Sequence, residues 1–239
     1  MATFVLVAGA CSGGWVWKKL APLLRAAGHE VSTPTLTGLG ERVHLGHPDI
    51  DLDTHITDIV NVLAFDDLQD VILIGWSYGG MVITGVADRV PERLAQVVYL
   101  DADVPEDGQT SYDVEANGEE LLAADLAASE AAGTPGYWPV PVEYVRAQVA
   151  DEADRVWLLA KMVPHPLATF AQPVHLRNPI TVLRAYVYCT EDRDPGGSEP
   201  AYLGRARSEP GWRYRELAAN HMAPVTAPRE TAELLLSLV

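Results

Sequence analysis

Val71-Ile72-Leu73-Ile74-Gly75-Trp76-Ser77-Tyr78-Gly79-Gly80 is the stretch on which the architecture turns. Its four leading aliphatic residues are too few for a helix and are closed by glycine, which reads as a strand buried on both faces. Met81 to Asp88, directly behind it, has the composition of a helix. Between them stands Gly75-x-Ser77-x-Gly79, a serine with glycine two residues away on either side. A chain that leaves a strand and enters a helix over so few residues must strain its central backbone. Small flanking residues let the two elements approach, and the serine hydroxyl is left exposed at the carboxyl edge of the sheet. The N–H groups that follow open a helix, where negative charge is stabilised.

The same alternation extends in both directions. Upstream, Phe4 to Ala8 is a short apolar strand closed by Gly9. Trp15 to Ala27 repeats apolar residues at helical spacing (Val16, Leu20, Leu23, Leu24) and ends at Gly28. His29 to Pro34 reads as a strand and Asp53 to Leu63 as an amphipathic helix. Downstream, Leu94 to Leu100, Ala185 to Cys189 and Trp212 to Leu217 are strand runs, and Thr226 to Leu238 is a final helix. Strands alternating with helices predict a mostly parallel, doubly wound α/β sheet covered on both faces. Between Val104 and Asn178 the rhythm changes. An Ala- and Glu-rich stretch (Glu115 to Ala132), a Pro- and aromatic-rich turn (Gly133 to Pro139) and helical pieces at Val142 to Ala150 and Glu152 to Leu159 predict a helical cap inserted into one domain spanning 1–239.

Composition narrows the function. The 33 acidic and 17 basic residues give a net charge of -16, a field that repels phosphate backbones and anionic lipid, so neither nucleic acid nor a membrane surface is an expected partner. No apolar run approaches the roughly 18 residues of a membrane-spanning helix, and the start has no basic segment or cleavage site. The two cysteines, Cys11 and Cys189, form no disulfide framework and have no zinc spacing. A cytoplasmic protein is expected, and the chain is compatible with a homodimer. His44 and His47 lie near acidic residues but in no metal-ligand spacing, so no metal is expected. His29, His55, His165 and His175 read as surface or cap residues.

A serine is a weak nucleophile unless a base activates it and a third group orients that base. Two loops that follow strand runs supply candidates: Glu191-Asp192 with Asp194 close behind, and Asn220-His221-Met222. The order Ser77, Asp192, His221 is the chain order of a nucleophile-acid-base triad on such a sheet. Of the three acids Asp192 is preferred, because it lies three residues beyond Cys189 where the strand stops, whereas Asp194 leads into Pro195-Gly196-Gly197.

Taken together, Phe4 to Trp15 with its Gly13-Gly14-Trp15, the serine elbow, Val187 to Asp192 and Asn220-His221-Met222 resemble the α/β-hydrolase superfamily. Within it the chain is similar to the plant methyl esterase and hydroxynitrile lyase branch and its bacterial esterase relatives. The resemblance implies Ser77 as nucleophile, His221 as general base and Asp192 as its orienter. The backbone N–H groups of Ala10 and Tyr78 would form the oxyanion hole, with Cys11, Trp76 and Trp138 around the substrate. The implied reaction is cofactor-free hydrolysis of a small, largely apolar carboxylic ester through an acyl-enzyme. The chain departs from the family in having Ala8 and Trp76 where histidines are usual. Lyases of this branch carry a lysine after the catalytic histidine and a threonine in the oxyanion loop, whereas this chain has Met222 and Ala10. That favours an esterase over a hydroxynitrile lyase. A ligand-binding protein and a cofactor-free biosynthetic enzyme are the remaining alternatives.

Overall fold

A computed structural model describes residues 1–115, 117–191 and 201–239. Its strands are β1 (Thr3–Val7), β2 (Glu30–Ser32), β3 (Val71–Trp76), β4 (Leu94–Leu100), β5 (Tyr137–Trp138), β6 (His165–Pro166), β7 (Leu183–Cys189) and β8 (Trp212–Leu217). Six of them form one sheet in the order β2-β1-β3-β4-β7-β8, every neighbouring pair parallel. The order doubles back between β1 and β3, and the crevice at the carboxyl ends of strands at such a switch point is where open α/β sheets bind ligands. Ser77 follows β3 at that place.

The pleat sorts side chains into two cores. Val5, Val7, Leu73, Val97 and Tyr99 face α2 (Leu52–Phe65) and α3 (Gly79–Arg89). Phe4, Leu6, Ile72, Ile74, Val98 and Leu100 face the other way, onto α1 (Ala21–Ala26) and α10 (Pro228–Leu236). Burial on both faces explains why these strands read as continuous apolar runs. Helix α2 starts cleanly because Asp51 accepts the Thr54 N–H, an N-cap that satisfies a donor the helix cannot.

Two expected helices are each split by proline. The segment 15–27 is a 3-10 turn at Gly14–Lys18 followed by α1, in which Pro22 stands in the first turn; a proline has no N–H to give and disfavours helix in the residue before it. The final helix is likewise α9 (Ala223–Thr226) and then α10, broken at Ala227 ahead of Pro228. Between β4 and β7 the chain leaves the sheet through α4 (Gly118–Ala131), α5 (Val142–Gln148), α6 (Glu152–Leu159) and α7 (Ala168–Ala171), and β5 pairs antiparallel with β6. Helix α8 (Ala201–Ser208) precedes β8.

Gly80 carries the tightest contact near Ser77. A Cβ there would lie 2.0 Å from the Asp103 carbonyl oxygen, which is backbone and cannot swing aside. Gly80→Ala is expected to destabilise the fold by about 1 to 3 kcal/mol, read as a lower urea midpoint at unchanged slope. A second prediction concerns acid. His55 on α2 is fully buried, and burial pulls its pKa from 6.5 down to about 4. The unfolded chain binds that proton near pH 6.5 and the folded chain resists it, so stability is full at neutral pH and falls as pH drops toward 4. The contribution lost is up to roughly 3 kcal/mol. Urea midpoints between pH 7 and 4.5 should therefore fall less steeply for His55→Gln than for the parent chain.

Candidate active site

Ser77 sits between β3 and α3 with φ +56°, in the left-handed region that a non-glycine residue seldom occupies. The glycines around it are required by contact. A Cβ on Gly75 would meet the Gly79 carbonyl oxygen at 2.5 Å, and one on Gly79 would meet the Val7 carbonyl oxygen at 2.8 Å. The Ser77 N–H donates to the Leu100 carbonyl (3.4 Å), and its own carbonyl accepts from Gly80 (2.9 Å) and Asp103 (3.3 Å). The loop after β1 passes directly over the serine, since a Cβ on Gly9 would lie 2.9 Å from that of Ser77. Among the described residues, the N–H groups of Ala10 and Tyr78 have no protein acceptor.

His221 occupies the loop between β8 and α9. Its Nδ1 lies 2.7 Å from Asp101 Oδ2, and because a carboxylate only accepts, Nδ1 carries the proton and Nε2 is left with its lone pair. Asp101 follows β4 with φ +46°. Its N–H donates to the Val187 carbonyl (2.8 Å), and its Oδ1 accepts the Cys189 N–H (3.1 Å), so both carboxylate oxygens are engaged. The Trp76 indole donates to the His221 carbonyl at 2.7 Å, tying the backbone of His221 to the end of β3. Asn220 fixes the same loop by donating to the Gln148 carbonyl (2.6 Å) and accepting the Met222 N–H (3.0 Å).

The expected orienter of His221, Asp192, lies outside the described residues, as does Asp194. The carboxylate on the imidazole is that of Asp101, which the sequence reading missed. It had one signal: it is the first residue beyond the clear strand 94–100, at the carboxyl edge where the serine also sits. Of the remaining sequence candidates, Ala10, Trp76, Ser77, Tyr78, Trp138 and His221 fall around a cavity with two lobes that share Ala10, Ser77 and Trp138, and Cys11 does not. The smaller lobe, about 80 Å³, is walled by Trp76, Tyr144, Val145, Met162, His221 and Met222. The larger, about 240 Å³, is lined by Tyr78, Tyr112, Leu121 and Phe170 together with Asp103, Ser111, Glu115 and Asp125. Burial pushes the Asp103 carboxyl up to about 7, although the Ser111 hydroxyl donates to it at 2.7 Å. Cys11 is buried, its thiol is pushed up by burial, and it does not reach either lobe. Of the aromatics between β4 and β7, Trp138 and Tyr144 line the cavity, whereas Trp157 stacks edge-on against Trp15 (5.2 Å) away from it.

Two histidines read as surface or cap residues are fully buried beneath this site. His165 Nδ1 accepts the Cys11 N–H (3.2 Å), which leaves Nε2 to donate to Thr169 Oγ1 (2.9 Å), whose own hydrogen goes to the Pro166 carbonyl (2.8 Å). His55 Nε2 faces the Thr37 carbonyl (3.0 Å) and must donate to it, so Nδ1 accepts the Tyr78 hydroxyl (2.9 Å). Burial holds His165, like His55, below its ordinary value, so both rings are neutral. The apolar periodicity of α2 contained the signal for His55, which shares a face with Leu52, Ile56 and Ile59. Exposed His44 and His47 join no metal-ligand set; among the described residues no group of three or more His, Cys, Asp or Glu side chains is placed to hold a metal ion. No helix among them is long and apolar enough to cross a membrane.

Known proteins resemble this chain along its whole length. A carbendazim hydrolyzing esterase of Nocardioides sp. (strain SG-4G) is 39% identical over 248 residues, covering 100% of both chains. The polyneuridine aldehyde esterase of Rauvolfia serpentina is 27% identical, covering 98% of this chain and 94% of that one. Among solved structures, an extracellular alpha/beta-hydrolase from a Paenibacillus species, described as structurally and functionally homologous to tobacco salicylic acid binding protein 2, superimposes with a TM-score of 0.86. It has 27% identity and the match covers 99% of this chain and 98% of that one. The model of the alpha/beta hydrolase family matches residues 4–234, from β1 into α10, and the chain belongs to that family.

Proposed function

We propose that this chain is a serine esterase, a carboxylic ester hydrolase in which Ser77, His221 and Asp101 form the triad. The observation that carries the reading is the Asp101–His221 hydrogen bond of 2.7 Å, bordering the same cavity as a serine held at φ +56°. Esterases aligned over nearly their full length support the reaction class. Ser77 Oγ attacks the ester carbonyl carbon while His221 Nε2 takes its proton. The tetrahedral oxyanion is received by the N–H groups of Ala10 and Tyr78, which have no protein acceptor among the described residues. Collapse breaks the bond to the alcohol oxygen, which leaves with the proton from His221. Water, deprotonated by the same imidazole, then attacks the acyl-serine, and Ser77 recovers its proton as the acid departs. The Asp101 carboxylate holds the imidazole in the required tautomer and stabilises it when charged, without itself taking the proton.

The cavity supports a small-molecule ester divided at Trp138, with a short group in the narrow lobe and the larger part in the wide one. The walls of both are mainly apolar, which suits the small, largely apolar esters expected from the resemblance. The reaction needs no cofactor. Cys11 and Cys189 are buried and in no disulfide, which suits a reducing, cytoplasmic setting.

Three measurements test the reading. Ser77→Ala and His221→Ala should each lower kcat on an activated aryl ester by roughly 10³-fold or more, and the double variant should lose little beyond either single one. Full turnover by Ser77→Ala would remove the nucleophile. Asp101→Asn offers the wrong partner to Nδ1–H and should cost at least roughly 10²-fold in kcat, whereas Asp192→Asn should cost less than about 10-fold. The reverse ranking would move the triad acid to Asp192. Trp138→Ala opens the partition between the lobes, and the ratio of kcat/KM for long over short acyl esters should rise about 10-fold; an unchanged ratio would place the acyl group elsewhere.

A further inference from the structure

The loop after β1 carries a conformation that its own sequence does not favour. Cys11 has φ +59°, a left-handed backbone that costs a non-glycine residue about 1 to 3 kcal/mol and survives only where the surroundings fix it. Both of its backbone groups are held by one segment of the cap. The Val163 N–H donates to the Cys11 carbonyl (3.1 Å), and the Cys11 N–H donates to His165 Nδ1 (3.2 Å). The Ala10–Cys11 peptide plane is thereby pinned, one residue from the N–H that borders Ser77.

We infer that His165 is a positioning residue for the oxyanion hole: its neutral ring, in the tautomer with hydrogen on Nε2, accepts the Cys11 N–H and so sets the turn that aims Ala10 at the reacting carbonyl. The inference rests on the esterase reading above and adds to it a residue from the cap that touches neither substrate nor nucleophile. Everything around the ring enforces that tautomer. Nδ1 meets only a donor. Nε2 meets Thr169 Oγ1, whose own hydrogen is committed to the Pro166 carbonyl. Phe170 stacks on the ring at 4.7 Å and 14°, and Tyr78 meets it edge-on at 4.8 Å, so it has no room to turn over.

The opposite side of the hole is built in the same way. Tyr78 supplies the second N–H, and its hydroxyl is anchored on His55, whose ring lies 5.7 Å from that of His165. Hydrogen bonds from both donor-bearing loops thus end on one buried pair of imidazoles, and misplacement of a donor by a fraction of an ångström weakens the stabilisation of an oxyanion steeply.

The test compares His165→Leu, His165→Asn and Thr169→Val by steady-state kinetics on an activated aryl ester, with circular dichroism and thermal midpoints as controls for folding. Leucine removes the acceptor, whereas the asparagine amide oxygen can replace Nδ1. Valine at 169 keeps the histidine but removes the acceptor that fixes its tautomer. Removing a whole oxyanion donor costs about 10² to 10³ in kcat, so misaiming one should cost His165→Leu about 10- to 100-fold with KM within about threefold. His165→Asn should recover most of that loss, and Thr169→Val should lose about 5-fold or more in kcat, again at constant KM. Equal losses in the leucine and asparagine variants, a loss confined to KM, or an unchanged kcat would overturn the inference. If His165→Leu does not fold, Thr169→Val alone decides, and unchanged kcat there overturns it. Labelling of the parent chain by a fluorophosphonate separates the two levels. Modification at Ser77 with kcat insensitive to residues 165 and 169 defeats this inference alone, and no modification at Ser77 defeats the esterase reading and this inference with it.

Discussion

Three neighbouring strands of the sheet are followed by a residue that L-amino acids seldom allow: Cys11 beyond β1 at φ +59°, Ser77 after β3 at +56°, Asp101 after β4 at +46°. Each such conformation is unfavourable by about 1 to 3 kcal/mol, and it persists only because the surrounding hydrogen bonds leave no alternative. Ser77 is tied to Leu100, Asp101 to Val187, and Cys11 to Val163 and His165. The sheet therefore acts as the reference frame. Ser77 and Asp101 stand directly after their strands and Cys11 four residues beyond β1, and these turns carry the serine and the carboxylate that holds His221 and lead out of the loop that passes over Ser77. The parallel direction of all six strands is what brings these turns to one edge.

What could be read in the sequence follows from how local the cause is. β4 at 94–100 coincides with its apolar run and β3 only lengthens to Trp76, because burial on both faces writes itself into consecutive residues; β8 at 212–217, an edge strand in which only Leu217 is buried, is legible instead from the alternation of Trp212 and Tyr214 with Arg213 and Arg215. The splits at Pro22 and Pro228 were also local, but helical periodicity on both sides of each proline masked them. The β5–β6 pair was not legible, since two residues per strand hold no period and the partners lie far apart in the sequence, Tyr137 opposite Pro166 and Trp138 opposite His165.

The site divides along the same line. Ser77 is announced by glycines within two residues of it, and His221 by its place after the last strand. Asp101 has no motif, because its role comes from a neighbour 120 residues away and from the Cys189 N–H on the adjacent strand. The histidines beneath the site were hidden for a related reason. His165 is meaningful only against Cys11, 154 residues distant, and a ring that is buried and neutral looks in sequence like any other histidine. The departures from the family at Ala8 and Trp76 have distinct structural outcomes. Ala8 packs into the core, and Trp76 spends its one N–H on the His221 carbonyl.

That indole hydrogen bond joins residues 145 apart in the chain, and it orders events during synthesis. The first hundred residues contain β1 to β4 and the elbow, so a ribosome-bound chain can assemble the half of the sheet that carries Ser77 early. The imidazole emerges late, after β7 and β8 have been made, and contacts of such separation are among the last that a folding chain closes. Until then the elbow holds Ser77 without the imidazole that shares its cavity, and the wall that Trp76 and His221 form together is still open.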